Sequence, residues 1–218
     1  MQVITVLLVD DHDLVRTGLK RLLDDVSGIK VVGEANTGEE ALRIAKEKQP
    51  HVVLMDVKMP GIGGLEATKK LLRTNPDTKV IALTVHAEEP FPSRLLQAGA
   101  AGYLTKGSSP DKMVEAIRSV HSGKRYISPD IAHQLALRHL SDGESEVLDT
   151  LSERELQVML MITKGCKVSD ISDKLCLSPK TVNSYRYRLF EKLRVSSDVE
   201  LTHFALRHGI VDTEDVMG

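Results

Sequence analysis

The sequence predicts an α/β domain built on a parallel, doubly wound sheet of five strands, followed by an all-helical domain. Three observations support this fold class. Short apolar runs alternate with amphipathic helical stretches over about the first 123 residues. Runs such as VITVLLV and HVVLM lack the polar alternation of a half-exposed strand, which is typical of parallel strands covered by helices on both faces. After residue 123 the alternation stops, and from Leu151 the pattern is helical.

Five strand and helix pairs follow one another in the first domain, each helix starting soon after its strand, as in a parallel sheet. The predicted strands are Val3 to Val9, Lys30 to Glu34, His51 to Met55, Lys79 to Leu83 and Gly102 to Leu104. The predicted helices are His12 to Asp25, Gly38 to Lys48, Gly64 to Thr74, Pro90 to Ala98 and Pro110 to His121.

A linker is predicted over residues 124–147, between domains at 1–123 and 148–218. Ser128 to Leu140 begins with Ser-Pro-Asp, a helix start with proline in the first position, and shows no strand signal. The stretch SDGESEVLDT holds four acids and no base, which favours a solvated tether.

The C-terminal domain is predicted to contain four helices. The first begins at the capping box Ser152-Glu-Arg-Glu155 and is closed by Gly165, and the second runs from Val168 to Leu175. The third is longer and begins at Ser178-Pro179, and the fourth runs from Asp198 to His208. The connection between the second and third of these helices is short enough for a helix-turn-helix.

Composition and charge narrow the class of protein. Apolar residues make up 41% and charged residues 28%, as in a soluble globular protein. We expect a cytoplasmic location, because no apolar run reaches the roughly 18 residues of a membrane span and the N-terminus lacks a signal peptide pattern. Cys166 and Cys176 have neither CxxC nor zinc-site spacing, and we expect packing residues without a disulfide. The net charge of −2 means that nucleic-acid binding would require a local basic patch.

Candidate chemistry lies at the carboxyl ends of the predicted strands, where open parallel sheets bind ligands. Those ends hold Asp10, Asp11, Asp56, Thr84 and Lys106. Three carboxylates close together repel one another unless a divalent cation neutralises them, and an oxygen ligand set favours Mg²⁺. An Asp that shares a site with Mg²⁺, a hydroxyl and an ammonium can accept a phosphoryl group. The pattern therefore predicts an aspartyl phosphate site.

These residues stand in motifs that resemble the receiver domains of two-component response regulators. The motifs are VDDH at 9–12, MDVKMPGIGG at 55–64, LT at 83–84 and GYLTK at 102–106. The resemblance covers about the first 123 residues and implies a flavodoxin-like sheet with strand order 2-1-3-4-5.

The resemblance also implies a role for each matching residue. Asp56 would be the phosphoacceptor. The Mg²⁺ ligands would be Asp10, which acts partly through water, Asp11, Asp56 and the backbone carbonyl of Lys58. The switch set would be Thr84, Lys106 and Tyr103. His12 and His86 flank this pocket without a role in the motif, and we expect them to be structural or solvent-facing.

The third helix of the C-terminal domain is amphipathic. A rotation of about 100° per residue places Val182, Leu189 and Leu193 on one buried stripe. The opposite face combines cations suited to phosphates with groups suited to base edges; it carries Lys180, Asn183, Ser184, Tyr187, Arg188 and Glu191. Residues 178–192 hold four bases and one acid, a local basic patch. Arg186 lies near the buried stripe, and we expect it to pair with an acid or a flanking phosphate.

LSERELQVMLMITKG and KVSDISDKLCLSPKTVNSYRYRLFEKL resemble the LuxR-type four-helix DNA-binding module over roughly residues 148–210. The resemblance implies that the third helix enters the major groove of double-stranded DNA and that the fourth forms a dimer interface. By matching position, the base contacts would come from Asn183, Ser184 and Tyr187, and the phosphate contacts from Lys180, Thr181 and Arg188.

A receiver joined to this module is the architecture of the NarL/FixJ class. GIGGLEATKK, LTVHAE, SGKRYISPDIA and SPKTVNSYRYR resemble, more narrowly, the GacA/UvrY group of global activators. That resemblance implies phosphorylation by a hybrid sensor histidine kinase and activation of small regulatory RNA genes. It also implies a homodimer formed through the C-terminal helix, the receiver or both.

Two other functions fit parts of the pattern. Asp11-His-Asp13 after an apolar strand is similar to the DxD motif of haloacid-dehalogenase-type phosphatases, but those enzymes carry a cap domain, for which this chain has no insertion. A small-molecule sensor in place of the receiver would need an aromatic-rich pocket, whereas the chain has no Trp and only 3% aromatic residues. We therefore expect a regulator and not an enzyme.

Overall fold

The computed structural model of the chain describes residues 3–84, 92–129, 131–133, 150–208 and 210–211. The chain divides into two compact units, one ending at Arg138 and the other beginning at His139. Within the described residues, none of the helices combines the length and the apolar character that a membrane crossing requires.

The first unit is an α/β structure. Its strands are β1 (Ile4–Val9), β2 (Ile29–Ala35), β3 (Val52–Asp56), β4 (Lys79–Thr84), β5 (Gly102–Thr105) and β6 (Tyr126–Ile127). Its helices are α1 (Asp13–Asp24), α2 (Gly38–Lys48), α3 (Gly63–Thr74), α4 (Pro92–Gln97) and α5 (Pro110–His121). All strand pairs are parallel, in the order β2-β1-β3-β4-β5-β6, so the predicted doubly wound sheet is confirmed.

Successive side chains of a strand point to opposite faces of the sheet. Both faces of this sheet are buried, each in its own apolar cluster. Leu8 of β1 belongs to one apolar cluster together with Leu23 of α1, and Leu7 belongs to a second cluster together with Leu71 of α3. Strand β3 is buried along its whole length. This double burial explains why these strands are apolar without alternation.

Among the described residues the sheet has six strands, one more than the sequence predicted. β6 lies in the segment that we predicted to be a linker without a strand. The backbone N–H of Tyr126 donates to the backbone carbonyl of Ala101 (3.0 Å), and that of Ser128 donates to the backbone carbonyl of Tyr103 (3.1 Å). Gly123, with φ of +85°, turns the chain after α5 back to the edge of β5. Two residues are too few to produce a periodic pattern, which is why the sequence did not reveal this strand.

The second unit contains helices α6 (Glu153–Thr163), α7 (Val168–Leu175), α8 (Pro179–Leu193) and α9 (Asp198–Arg207), so the four predicted helices are confirmed. The predicted capping box of Ser152 and Glu155 is present at the start of α6. Both cysteines are free. The expectation that both are packing residues was wrong for Cys176, which is exposed and ends α7 in a left-handed conformation (φ +52°).

Some predictions fall on residues that the structure does not describe. They are the acidic stretch SDGESEVLDT up to residue 149, the start of the fourth helix at Pro90, and His86. The helix expected from Ser128 to Leu140 is described only at its beginning, where the N–H of Ala132 donates to the carbonyl of Ser128 (2.9 Å).

Candidate functional site

The predicted acids meet at the carboxyl ends of β1 and β3, which are neighbouring strands. One oxygen each from Asp10, Asp11 and Asp56, and a ring nitrogen of His12, lie within 4.8 Å of one another. Asp10 and Asp56 are buried, whereas the side chains of Asp11 and His12 are 30% and 65% exposed. The cluster therefore has a buried floor and a side that is open to solvent.

Lys106 brings a positive charge to this cluster from the end of β5. Its Nζ lies 2.7 Å from Oδ2 of Asp10 and 2.8 Å from Oδ2 of Asp56. The backbone N–H of Lys106 donates to the carbonyl of Thr84 (2.6 Å), which holds the end of β5 against β4. A single ammonium therefore lies between the two buried carboxylates.

The carboxyl group of Asp56 is harder to ionise than an ordinary aspartate. Burial raises the pKa of Asp56 to about 7, and the ion pair with Lys106 offsets this only in part, while the charge of Asp10 adds to it. Burial lowers the pKa of Lys106, but its bonds to Asp10 and Asp56 outweigh burial and hold the pKa above its usual value. The ammonium of Lys106 contacts two of the three acids, and the excess negative charge of the cluster suits a divalent cation.

The remaining predicted receiver residues lie around the same edge of the sheet. Thr84 ends β4 and is buried, next to the strand that ends in Asp56. Tyr103 lies within β5, paired in register with Ala82 of β4, and its side chain is fully buried. Lys58 is exposed after β3, and its backbone N–H donates to Oδ1 of Asp56 (3.2 Å).

Two supporting residues were missed by sequence reasoning. The guanidinium of Arg16 donates to the backbone carbonyl of Asp10 (2.6 Å) and so fixes the turn after β1. The carboxylate of Glu39 in α2 accepts from the N–H of Ile62 (3.0 Å) and so holds the loop between β3 and α3. Neither residue belongs to a local motif, because each contact joins segments that are brought together by the fold.

Gly64 allows α3 to begin directly against Asp56. Its N–H donates to the carbonyl of Val57 (3.1 Å). A Cβ atom at this position would lie 2.1 Å from the carbonyl oxygen of Asp56 and 2.8 Å from Cα of Val57. The close approach of α3 to the backbone of Asp56 therefore requires glycine.

In the second unit, α8 has the predicted amphipathic form. The Ser178 side chain caps its start by accepting from the N–H of Thr181 (3.1 Å), and Pro179 follows in the first turn. The buried residues are Val182, Leu189 and Leu193, as predicted. Of the six predicted DNA contacts, four are exposed, namely Lys180, Ser184, Tyr187 and Arg188, and two are half-buried, namely Thr181 and Asn183.

Arg186 is occupied within the domain. Its guanidinium donates twice to the carboxylate of Asp198 at the start of α9, over 2.6 and 2.7 Å, and lies 5.4 Å from the ring centroid of Phe190. The expectation that Arg186 pairs with an acid is confirmed. Its planar, two-point pairing fixes α8 against α9 and leaves the exposed face of α8 to the other cations.

Comparisons with known proteins match a different family to each of the two units. Residues 6–118 match the family of response regulator receiver domains, and residues 149–205 match the luxR family of bacterial regulatory proteins. The chain is 65% identical over 209 residues to the response regulator GacA of Pseudomonas protegens, covering 96% of this chain and 98% of the relative. It is 60% identical over 212 residues to the response regulator UvrY of Escherichia coli K12, covering 97% of each. Among solved structures, the complex of the two-component response regulator RcsB with DNA has a TM-score of 0.58 and 25% identity, covering 97% of this chain and 100% of that chain.

Proposed function

The chain belongs to the response regulators that join a receiver domain to a LuxR-type DNA-binding domain, and on that premise we propose that it accepts a phosphoryl group on Asp56 and binds DNA through α8. Members of this family regulate transcription in a phosphorylation-dependent way and are not enzymes. The observation that carries the assignment of Asp56 is the position of Lys106, whose ammonium joins this carboxylate to that of Asp10.

The transfer would begin with attack of an Asp56 carboxylate oxygen on the phosphorus of a phosphohistidine in the partner kinase. The O–P bond forms, the P–N bond breaks, and the electron pair leaves with the imidazole. The ammonium of Lys106 is already within 2.8 Å of Asp56, so it can balance the charge that accompanies the incoming phosphoryl oxygens. Because burial raises the pKa of Asp56, the carboxylate needs a neighbouring positive charge to act as a nucleophile near neutral pH.

A magnesium ion fits the donor set of this site. The carboxylates of Asp10, Asp11 and Asp56 present hard oxygen ligands within 4.8 Å of one another, and the carbonyl of Lys58 would supply a further oxygen. When bound, Mg²⁺ supplies charge neutralisation for the carboxylates and the transferred phosphoryl oxygens. The protein's contribution is to hold these acids in place, with Arg16 fixing Asp10 and the N–H of Lys58 fixing Asp56.

The switch would consist of Thr84, Tyr103 and Lys106. In this proposal the hydroxyl of Thr84 turns to donate to a phosphoryl oxygen, and the ring of Tyr103 follows into the space that the threonine leaves. The burial of both side chains supports the proposal, since a buried ring can move only when a neighbouring side chain makes room.

In the second unit, α8 would enter the major groove of double-stranded DNA. Lys180, Thr181 and Arg188 would contact phosphates, while Asn183, Ser184 and Tyr187 would contact base edges. The 66% exposure of Tyr187 supports this assignment, because its ring and hydroxyl are accessible for such a contact.

Further features of the proposal rest on the likeness to the GacA/UvrY group. We infer that the partner is a hybrid sensor histidine kinase, that the protein acts in the cytoplasm as a homodimer through the C-terminal helix, the receiver or both, and that it activates small regulatory RNA genes. The domains would span residues 1–123 and 148–218, with a linker at 124–147.

The phosphorylation site is tested by incubating the purified protein with acetyl phosphate and Mg²⁺ and measuring intact mass. Asp56→Asn should abolish the acid-labile phosphate, because it removes the nucleophilic oxygen. Asp24→Asn is the matched control: Asp24 is exposed at the end of α1, and this variant should be phosphorylated like the wild type. Undiminished phosphate on Asp56→Asn would refute the assignment.

Lys106→Ala tests whether phosphorylation of Asp56 can be separated from its effect on DNA binding. Phosphate should still attach to Asp56 in this variant, because bound Mg²⁺ can supply the positive charge that the carboxylate needs. The gain in DNA affinity on phosphorylation should be lost, because the charge of the phosphoryl group no longer has its ammonium partner. An undiminished gain in DNA affinity would remove Lys106 from the switch.

A further inference from the structure

His12 completes the acidic cluster with an imidazole nitrogen. Its Nδ1 lies 3.0 Å from Oδ1 of Asp11 and 3.2 Å from Oδ1 of Asp10. The ring nitrogen belongs to the same group of potential ligand atoms as the carboxylate of Asp56, all within 4.8 Å of one another. The expectation that His12 is solvent-facing holds for its exposure, but the ring also turns towards the acids.

The local backbone holds His12 in this position. Its N–H donates to Oδ1 of Asp10 (2.9 Å), which places the residue over the end of β1. His12 precedes the first turn of α1, yet its side chain makes no capping hydrogen bond to that helix. With 65% of the side chain exposed, burial contributes little to the position of the ring. The contacts that orient the ring are those of Nδ1 with the oxygens of Asp10 and Asp11.

The distances around Nδ1 match those between neighbouring ligands of a metal ion. Ligand atoms at about 2.1 Å from an octahedral ion are separated by about 3.0 Å along each edge of the octahedron. The separations of Nδ1 from the two aspartate oxygens, 3.0 and 3.2 Å, correspond to two such edges. The three atoms are therefore close enough to one another to be ligands of a common ion.

We propose that Nδ1 of His12 is a metal ligand, so that the receiver pocket binds Mn²⁺ and Co²⁺ more tightly than Mg²⁺. Mg²⁺ takes oxygen ligands and keeps much of its water, whereas first-row transition ions accept imidazole readily. A site of carboxylate and carbonyl oxygens alone suits both Mg²⁺ and Mn²⁺, and the added nitrogen favours the transition ions over Mg²⁺. This inference rests on the proposed function, since it concerns the cation of the same phosphorylation site.

The inference is tested by metal titration of the full chain, with Mg²⁺, Mn²⁺ and Co²⁺ measured separately for wild type and His12→Ala. The variant should bind Mn²⁺ and Co²⁺ about 10-fold or more weakly, and Mg²⁺ within about 3-fold of the wild type, because only the nitrogen ligand is lost. His203→Ala, an exposed histidine of α9, is the matched control and should leave all three affinities unchanged.

A spectroscopic measurement identifies the ligand directly. The electron spin echo of Mn²⁺ bound to the wild type should show modulation from a directly coordinated imidazole nitrogen, and His12→Ala should lose it. If His12 is instead an imidazolium paired with the acids, the nitrogen signal will be absent and the three ions will respond alike to the substitution. Either result overturns the inference.

The same titrations separate this inference from the proposed function. Failure of the proposed function would appear as absence of binding of any of the three ions together with absence of phosphate on Asp56. Failure of the inference alone would leave Mg²⁺ binding and phosphorylation of Asp56 intact, with equal metal preferences in wild type and His12→Ala.

Discussion

Gly64 is a residue at which an added side chain would displace Asp56, the proposed phosphoacceptor. We expect Gly64→Ala to destabilise the protein by about 1–3 kcal/mol, because the new methyl group must displace the backbone of Asp56 or α3. Phosphorylation should slow as well, since Asp56 would move relative to Lys106. Urea unfolding and the rate of phosphate incorporation from acetyl phosphate measure the two effects.

Gly18, in the middle of α1, differs from Gly64 because a side chain has room there. A Cβ at this exposed position would meet nothing within 4 Å. Gly18→Ala should therefore stabilise the protein by about 0.5–1 kcal/mol through reduced backbone entropy of the unfolded chain. Equal effects of the two substitutions would show that the packing of Gly64 against Asp56 is unimportant.

The carboxylate of Glu155 in the second unit accepts three hydrogen bonds. Its Oε2 accepts from the N–H and Oγ of Ser152 (2.7 and 2.9 Å) and from Nζ of Lys192 (2.6 Å). Burial tends to raise the pKa of Glu155, but these donors outweigh it and hold the pKa below its ordinary value of 4.5. The interaction therefore stabilises the fold above the unfolded-state pKa and is lost as the pH falls through the lower folded-state pKa.

Glu155→Gln should lower the free energy of unfolding by about 1–3 kcal/mol at neutral pH, because the charge-assisted bonds are lost. The difference from the wild type should shrink as the pH falls below the ordinary value of 4.5, where the unfolded chain takes up the proton, and should vanish below the lower folded-state pKa. Urea unfolding at a series of pH values measures this, with Glu191→Gln on the exposed face of α8 as the control. A pH-independent difference would contradict the assigned role of the charge.

At the scale of the element, α8 carries one arginine that is bound within the domain and another that is exposed. Arg186 pairs with Asp198 and so orients α8 on α9, whereas Arg188 is exposed and lies 6.0 Å from the ring centroid of Tyr185. Two arginines two positions apart thus lie on different faces of one helix. Their substitution should consequently have different effects on folding and on DNA binding.

The exposed face of α8 should contain two classes of DNA contact. Tyr187→Ala and Asn183→Ala should lower the discrimination between cognate and random DNA by about 1–3 kcal/mol for each lost base contact. Arg188→Ala should weaken both kinds of DNA alike and flatten the salt dependence, because a phosphate contact carries no sequence information. Binding measured over a range of salt concentrations distinguishes the classes, and altered sequence preference in Arg188→Ala alone would reverse the assignments.

At the scale of the whole molecule, we expect the receiver to restrain the DNA-binding domain until Asp56 is phosphorylated. The fragment from Leu151 to Gly218 should then bind DNA without a phosphodonor at least as well as the phosphorylated full chain. Typical coupling free energies imply that phosphate changes the affinity of the full chain by roughly 5- to 150-fold. Fluorescence anisotropy at equal domain concentrations measures both quantities.

A much weaker fragment would contradict restraint as the switch. Phosphorylation would then act mainly by driving dimerisation through the receiver, since the fragment lacks that surface. Sedimentation of the full chain with and without acetyl phosphate separates this outcome from simple misfolding of the fragment.

By itself, the sequence determined the elements that depend on local periodicity and local bonding, and the residue types at the strand ends. The apolar strands, the capping box at Ser152 and the buried stripe of α8 follow from neighbours within a few positions, and parallel strands necessarily bring their carboxyl ends to one edge. This was enough to predict the doubly wound sheet and the cluster of Asp10, Asp11 and Asp56.

Only the tertiary structure decided which distant groups meet. The contacts of Lys106 with Asp10, of Glu39 with the N–H of Ile62 and of Arg186 with Asp198 join separate elements and leave no periodic trace in the sequence. Strand β6 is likewise set by the return of the chain to the edge of β5 and not by its own two residues. Such contacts depend on the packing of whole elements, so local patterns could place each residue on its element but could not choose its partner.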